Sequence, residues 1–323
     1  VNDVRDFLVK RALPQSVTAG ASSYFTPPEK TLDPNLFGYG EKMKLVVRTW
    51  LQHTLHGFLA GKGYHGVEHW TRIWVAGSGA SYQWSAARDP GDLDVLIGID
   101  YERFRRMNPR YTGLSDVEIG DDLNEVMQNS LWPKTANQQI GHATYEVTWY
   151  CNPHATDIRD INPYAAYDVD KAEWTVRPIE LPAAGPGEWF PKEYEEAANR
   201  DQARAVEIVT AYNQARAGVT GDLRDPHSVN AAAALTTAGR HAEALFNEIH
   251  LGRHAAFDKG GQGYRDYANY RWQRGKLLGT IPALRAIHDE MKGAREDTET
   301  ALYGRKLKST EHYLVEAALG RTS

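Results

Sequence analysis

The chain has 323 residues, 41% hydrophobic and 24% charged, and its 37 lysines and arginines against 42 aspartates and glutamates leave a formal charge of −5. That length points to about two domains; the hydrophobic share excludes wholesale disorder, and the acidic balance excludes a uniformly basic coat for nucleic acid while leaving room for a local basic groove. A single cysteine, Cys151, excludes an internal disulfide and a thiolate metal centre. No run of about 18 apolar residues offers a membrane span, and the charged start from Val1 to Lys10 lacks the apolar stretch of a secretory signal. A soluble cytoplasmic protein with no membrane partner is expected.

In chain order, Val47, Trp50, Leu51, Leu55 and Phe58 recur at three- and four-residue intervals, which predicts a helix from about Glu41 to Leu59, closed by Gly61. Arg72 to Ala76 reads as a strand running into Gly77-Ser78-Gly79, and Asp92 to Ile99 as a second strand. Ser115-Asp116-Val117-Glu118 is a capping box and starts a helix over 116 to about 131. Tyr145 to Tyr150, β-branched and aromatic, is a third strand. Leu181 to Pro191 holds three prolines and two glycines, so a domain boundary is expected there, with one domain over 1–185 and a second over 190–323. Beyond it the pattern is helical: Glu195 to Ala217, Ser228 to Ala238, His241 to His250, Gly263 to Leu278 and Leu284 to Lys292. The fold class is α+β, a mixed sheet with helices followed by an all-helical C-terminal domain.

The chemistry concentrates in Val75-Ala76-Gly77-Ser78, followed after thirteen residues (79 to 91) by Asp92-Leu93-Asp94-Val95. Side chains two apart on a strand share a face, so Asp92 and Asp94 present two carboxylates side by side. Oxygen ligands with hard charge suit Mg²⁺ or Mn²⁺ better than Zn²⁺. The glycine–serine turn lets backbone amides and a hydroxyl approach phosphate oxygens.

These two motifs, Ala76-Gly77-Ser78 and Asp92-Leu93-Asp94-Val95, resemble the signature of the nucleotidyltransferase superfamily that includes DNA polymerase beta, poly(A) polymerase, CCA-adding enzymes and oligoadenylate synthetases. The resemblance covers about residues 41 to 165, with the spacer at the long end of the family's range. It implies transfer of a nucleoside monophosphate from an NTP to an acceptor hydroxyl with release of pyrophosphate, helped by two Mg²⁺ or Mn²⁺ ions. Asp92 and Asp94 would hold both ions, and Gly77, Ser78 and Gly79 the outer phosphates. The family also uses a third carboxylate. Glu146, an acid between apolar neighbours in mid-strand, is chosen for it, although the family's usual residue is aspartate; Asp160 and then Asp157 are the competitors. The acceptor stays open among an RNA 3′ end or tRNA, another nucleotide, a small molecule and a protein hydroxyl, the last two including toxin-type enzymes. A non-catalytic nucleotide- or RNA-binding protein of the same fold is the alternative from another class.

Other features were weighed against simpler readings. Tyr267, Arg271 and Arg274 share a helical face suited to stacking a base and neutralising phosphate, and core packing explains the aromatic residue equally well. Arg103, Arg105, Arg106 and Arg110 read as a solvated face. His65-Gly66-Val67-Glu68-His69 matches an inverted zinc-peptidase pattern, but Gly66 argues against the helix that pattern needs.

Overall fold

The computed structural model describes residues 17–20, 22–85, 90–153, 155–222, 224–305 and 307–320. Val1 to Lys10 and part of the spacer between the two motifs lie outside them. By packing density the chain divides into two compact units. A sheet unit contains Phe25–Pro186, Phe257–Tyr264 and the residues from Lys308 on; a helical unit contains the described residues up to Tyr24, Gly187–Ala256 and Arg265–Leu307. One switch, between Pro186 and Gly187, falls inside the proline- and glycine-rich stretch. The units are interleaved in sequence, not two uninterrupted spans. No helix among the described residues is long and apolar enough to cross a membrane.

In the sheet unit six strands form a mixed sheet in the order β3-β4-β2-β1-β5-β6. They are β1 (Thr71–Ala76), β2 (Gly91–Ile99), β3 (Gln138–Ile140), β4 (Ala143–Cys151), β5 (Ala166–Asp168) and β6 (Glu173–Val176). β1 runs antiparallel to β2 and β5, whereas β2 and β4 are parallel. The short strands β3, β5 and β6 carry too few alternating residues to stand out in sequence. The helices are α1 (Leu45–Gly61), α2 (Val67–Trp70), α3 (Tyr101–Met107), α4 (Asp116–Ser130), α5 (Trp132–Thr135) and, near the C-terminus, α10 (Thr310–Ala318).

One face of the sheet forms the core. Ile73 and Val75 of β1, Leu93, Val95 and Ile97 of β2, and Val147 and Trp149 of β4 are buried with Val47, Leu51, Leu55 and Leu59 of α1 and Ile119, Leu123 and Met127 of α4. Each such aliphatic side chain contributes about 1.5–3 kcal/mol on burial. The apolar stripe of α1 is the expected one, but the helix starts at Leu45 rather than near Glu41. Glu41 has φ +56° and Lys42 is extended, so neither can continue a right-handed helix. The capping box of α4 forms as expected, with Ser115 Oγ accepting from the Glu118 amide and Glu118 accepting from the Ser115 amide.

In the helical unit α6 (Lys192–Gly218), α7 (Pro226–Phe257), α8 (Tyr267–Leu277) and α9 (Thr280–Tyr303) bury Val209 and Tyr212, Leu245, Phe246 and Ile249, Trp272, and Ile281, Leu284 and Ile287. The two helices expected over 228–238 and 241–250 are one continuous helix, α7. Gly239 and Arg240, between them, are helical, and Met291 of α9 packs against the bare Cα of Gly239. The helix expected from Gly263 begins only at Tyr267, where Asp266 caps it, and the one expected over 284–292 is the middle of α9.

Candidate active site

The second face of the sheet is divided. Toward the ends of β1 and β2 where they pair through Thr71 and Ile99, it is closed. There Trp74 and Leu96 pack with Ile158 and Ile161, the cluster reaching Ala166 and Val176 in the cross-strand row of Asp94, and Gly98 is so close to the carbonyl of Thr156 that a Cβ there would sit 2.3 Å from it. Toward the other end it stays accessible, and the acids lie there. Asp92 and Asp94 alternate with buried Leu93 and Val95, so both project from the accessible face and are half-buried. In the parallel register Asp92 pairs with Glu146 and Asp94 with Thr148, which places Glu146 and Thr148 on that same face. β1 pairs Ala76 with Asp94 and delivers Gly77 at the rim.

Gly77 has φ +71° and ψ −161°, a conformation open to glycine and strained for residues with a Cβ. A Cβ at this position would lie 2.0 Å from Asp94 Oδ2, so the carboxylate occupies the space that the missing side chain leaves. Gly79 approaches β2 just as closely, since its Cβ would lie 2.8 Å from the Asp92 carbonyl oxygen. Between them Ser78 begins a single 3₁₀ turn, Ser78–Ala80. Thr148 Oγ1 donates to Asp94 Oδ1 at 3.1 Å, and the indole Nε1 of Trp132 donates to Glu146 Oε1 at 3.1 Å. Among the described residues no three His, Cys, Asp or Glu side chains converge as ligands of one metal ion. The acids share a face, while Asp94 leans on Gly77 and Thr148 and Glu146 leans toward Trp132.

A cleft of about 260 Å³ opens beside these residues, lined by Ser78, Gly79, Trp84, Gly91, Asp92 and Tyr145 together with Asp33 and Asn35. Asp33 is 3% exposed, and its carboxylate accepts from the Tyr145 hydroxyl at 2.5 Å and from the Asn35 amide at 2.8 Å. Burial and this carboxylate push the Tyr145 phenol above its ordinary range, so it stays a neutral donor.

The competitors for the third carboxylate lie elsewhere. Asp160 is exposed in a 3₁₀ turn, Ile158–Ile161, off the strands. Asp157 accepts from Arg159 and lies 3.8 Å from Arg72, and the Arg159 guanidinium is the main reason its carboxyl is held down at about 2. Arg271 is paired within the helical unit with Asp201 and Glu248, and Arg274 with Glu195, while Tyr267 lies against Tyr194. Their helical spacing is as the sequence implies, but each guanidinium already meets carboxylates. Arg105 binds Asp116, and Arg110 lies over Tyr64 and Tyr111. Gly66, in the left-handed region, caps α2 and leaves His65 outside the helix that carries His69, so the zinc-peptidase spacing has no common helical face.

Sequence reasoning missed Thr148, Trp132 and Asp33. Thr148 was within reach, being two residues past Glu146 on one strand; Trp132 and Asp33 reach the site only through the fold. No family model, no curated protein and no solved structure matches the chain.

Proposed function

We propose that the sheet unit catalyses metal-dependent nucleotidyl transfer from an NTP to an acceptor hydroxyl. The observation that carries this reading is the β2–β4 register, which gathers Asp92, Asp94 and Glu146 on one accessible face beside a glycine that Asp94 itself requires. The donor set is all oxygen and anionic, which fits Mg²⁺ or Mn²⁺; Asp92 and Asp94 would hold the ions, with Glu146 reaching them by a side-chain rotation away from Trp132. Bound there, the ions would neutralise charge on the phosphates and on the attacking and leaving oxygens.

The protein's own groups do the rest. Ser78 and the turn amides beside it would orient the outer phosphates, with Gly77 and Gly79 allowing close approach. The acceptor oxygen forms a bond to the α-phosphorus as the bond to the bridging oxygen breaks, and pyrophosphate leaves with that electron pair. The acceptor's proton would pass to a carboxylate, a role assigned to Glu146. The acceptor is an RNA 3′ end or a nucleotide in the first instance, with small-molecule and protein hydroxyls as the other classes to test.

The test is incubation with each α-labelled NTP, Mg²⁺ or Mn²⁺, and either total RNA or a small-molecule extract. Label transfer and pyrophosphate release are expected from the native protein and not from Asp94→Asn. Equal labelling by the two proteins overturns the mechanism. Saturable NTP binding without transfer to any acceptor class favours the non-catalytic alternative.

A further inference from the structure

A second cluster of ligand-type side chains lies in the helical unit, apart from the acids of β2. His250 and His254 are one turn apart on α7, and their Nε2 atoms are 3.2 Å from each other. The rings meet edge to face, 4.5 Å between centroids and 88° between planes, with the two Nε2 atoms at hydrogen-bond distance from each other. The Nε2 separation is close to the ligand–ligand edge of a tetrahedral zinc site, about 3.3–3.4 Å for Zn–N bonds of about 2.0–2.1 Å.

We propose that His250 and His254 form a binding site for one divalent transition ion of the zinc, nickel and copper class, with water completing its coordination. Imidazole nitrogen suits those ions and is a poor ligand for Mg²⁺, so the site is chemically separate from the proposed carboxylate site. Three further observations support it. His250 is braced on the core, 5.4 Å from Phe246 and 5.3 Å from Trp272, so one ligand is positioned before any ion arrives. His254 is exposed at the other side of the pair, which leaves a path for the ion and its waters. His254 also lies in the last turn of α7, where the carbonyl end of the helix favours positive charge.

The surroundings set limits on affinity. Arg253 and Arg285 lie over Trp272 at 5.1 and 5.8 Å, and His288 stands by Phe246 with its Nδ1 on Asp289. The two arginines oppose a metal ion as they oppose a proton. Burial, then His254 and the two arginines, holds the His250 pKa below its ordinary value.

The experiment uses the untagged full chain, stripped with chelator, and calorimetric titration with NiCl₂ and with ZnCl₂ in excess Mg²⁺. The expected result is saturable binding of one ion per chain by the native protein, weakened about tenfold or more in His254→Ala, whose exposed position leaves the core intact. Asp94→Asn forms the second arm and is expected to keep the site. An unchanged isotherm in His254→Ala, no saturable heat with the native protein, or loss of the site in Asp94→Asn each overturns the proposal. Failure of nucleotidyl transfer would leave it untouched, since the readout is metal binding alone.

Discussion

Acidic side chains are held in opposite ways in the two units. In the helical unit Asp201 faces Arg271 with Nε and Nη2 at 2.6 and 2.8 Å, Glu248 joins the same guanidinium, and Glu195 meets Arg274. These opposite charges tie α6 and α7 to α8. In the sheet unit Asp92, Asp94 and Glu146 lie side by side on one face, and Asp94 and Glu146 accept from a hydroxyl and an indole. Like charges at such spacing repel by on the order of 1 kcal/mol per pair even in water, and by more where solvent is reduced. The first arrangement pairs opposite charges, whereas the second sets like charges beside each other with neutral donors on Asp94 and Glu146. The contrast separates acids paired with guanidinium groups from acids gathered on one strand face.

The largest effect expected from this contrast is on activity. Asp94→Asn is expected to lower nucleotidyl transfer by on the order of 10³-fold while leaving thermal stability unchanged or slightly raised, because it removes a repulsion as well as a ligand. Gly77→Ala is expected to act alike on rate, since its Cβ would displace the Asp94 carboxylate. Labelled-NTP assays beside calorimetric melting check both; a parallel fall in melting temperature for Asp94→Asn would erase the distinction between the two kinds of acid. The converse substitution, Asp201→Ala, is expected to destabilise the helical unit by about 2 kcal/mol, since it removes two charged hydrogen bonds from a guanidinium that is only 18% exposed and leaves it Glu248 alone. Denaturant unfolding reads this directly.

What could be read from the sequence follows the same division. The acids of β2 and the candidate on β4 were legible because period-two alternation fixes a face without any tertiary knowledge: Asp92 and Asp94 flank Leu93, and Glu146 lies between Tyr145 and Val147. That β2 and β4 are neighbours in matched register was not legible, because it depends on the β-α-β connection through α4. The ion pairs of Arg271 and Arg274 were equally hidden, as their partners lie 70 and 79 residues away in the chain. A basic, aromatic helix face was open to both ligand binding and core packing, and the structure shows each arginine paired inside its own unit. Local signals with a closed stereochemistry fared best, and the capping box of α4 is the clearest. There, Ser115→Ala is expected to cost about 1 kcal/mol, measured by urea unfolding.

The smallest effect concerns protons and tests whether the core face of the sheet unit tolerates charge as the acid face does. His56 of α1 lies half-buried with Nε2 3.1 Å from Thr71 Oγ1. Thr71 has one hydroxyl proton, which it donates to the Val67 carbonyl at 2.8 Å, so Nε2 of His56 must be the donor and Nδ1 carries the proton that titrates. Burial lowers the pKa of this histidine, outweighing the attraction of Asp170 and Glu68. In the unfolded chain the ring takes up its proton near pH 6.5, whereas the folded protein resists it to lower pH. Between those two values the unfolded state binds more protons, so the stability that His56 contributes is full above about pH 6.5 and declines as the pH falls through that window. Melting temperatures from pH 7.5 down to pH 5.5 should therefore fall more steeply for the native protein than for His56→Gln, which keeps an N–H donor but does not titrate. Equal slopes would mean that α1 accepts the charge, and that the core face is as permissive as the one bearing Asp92 and Asp94.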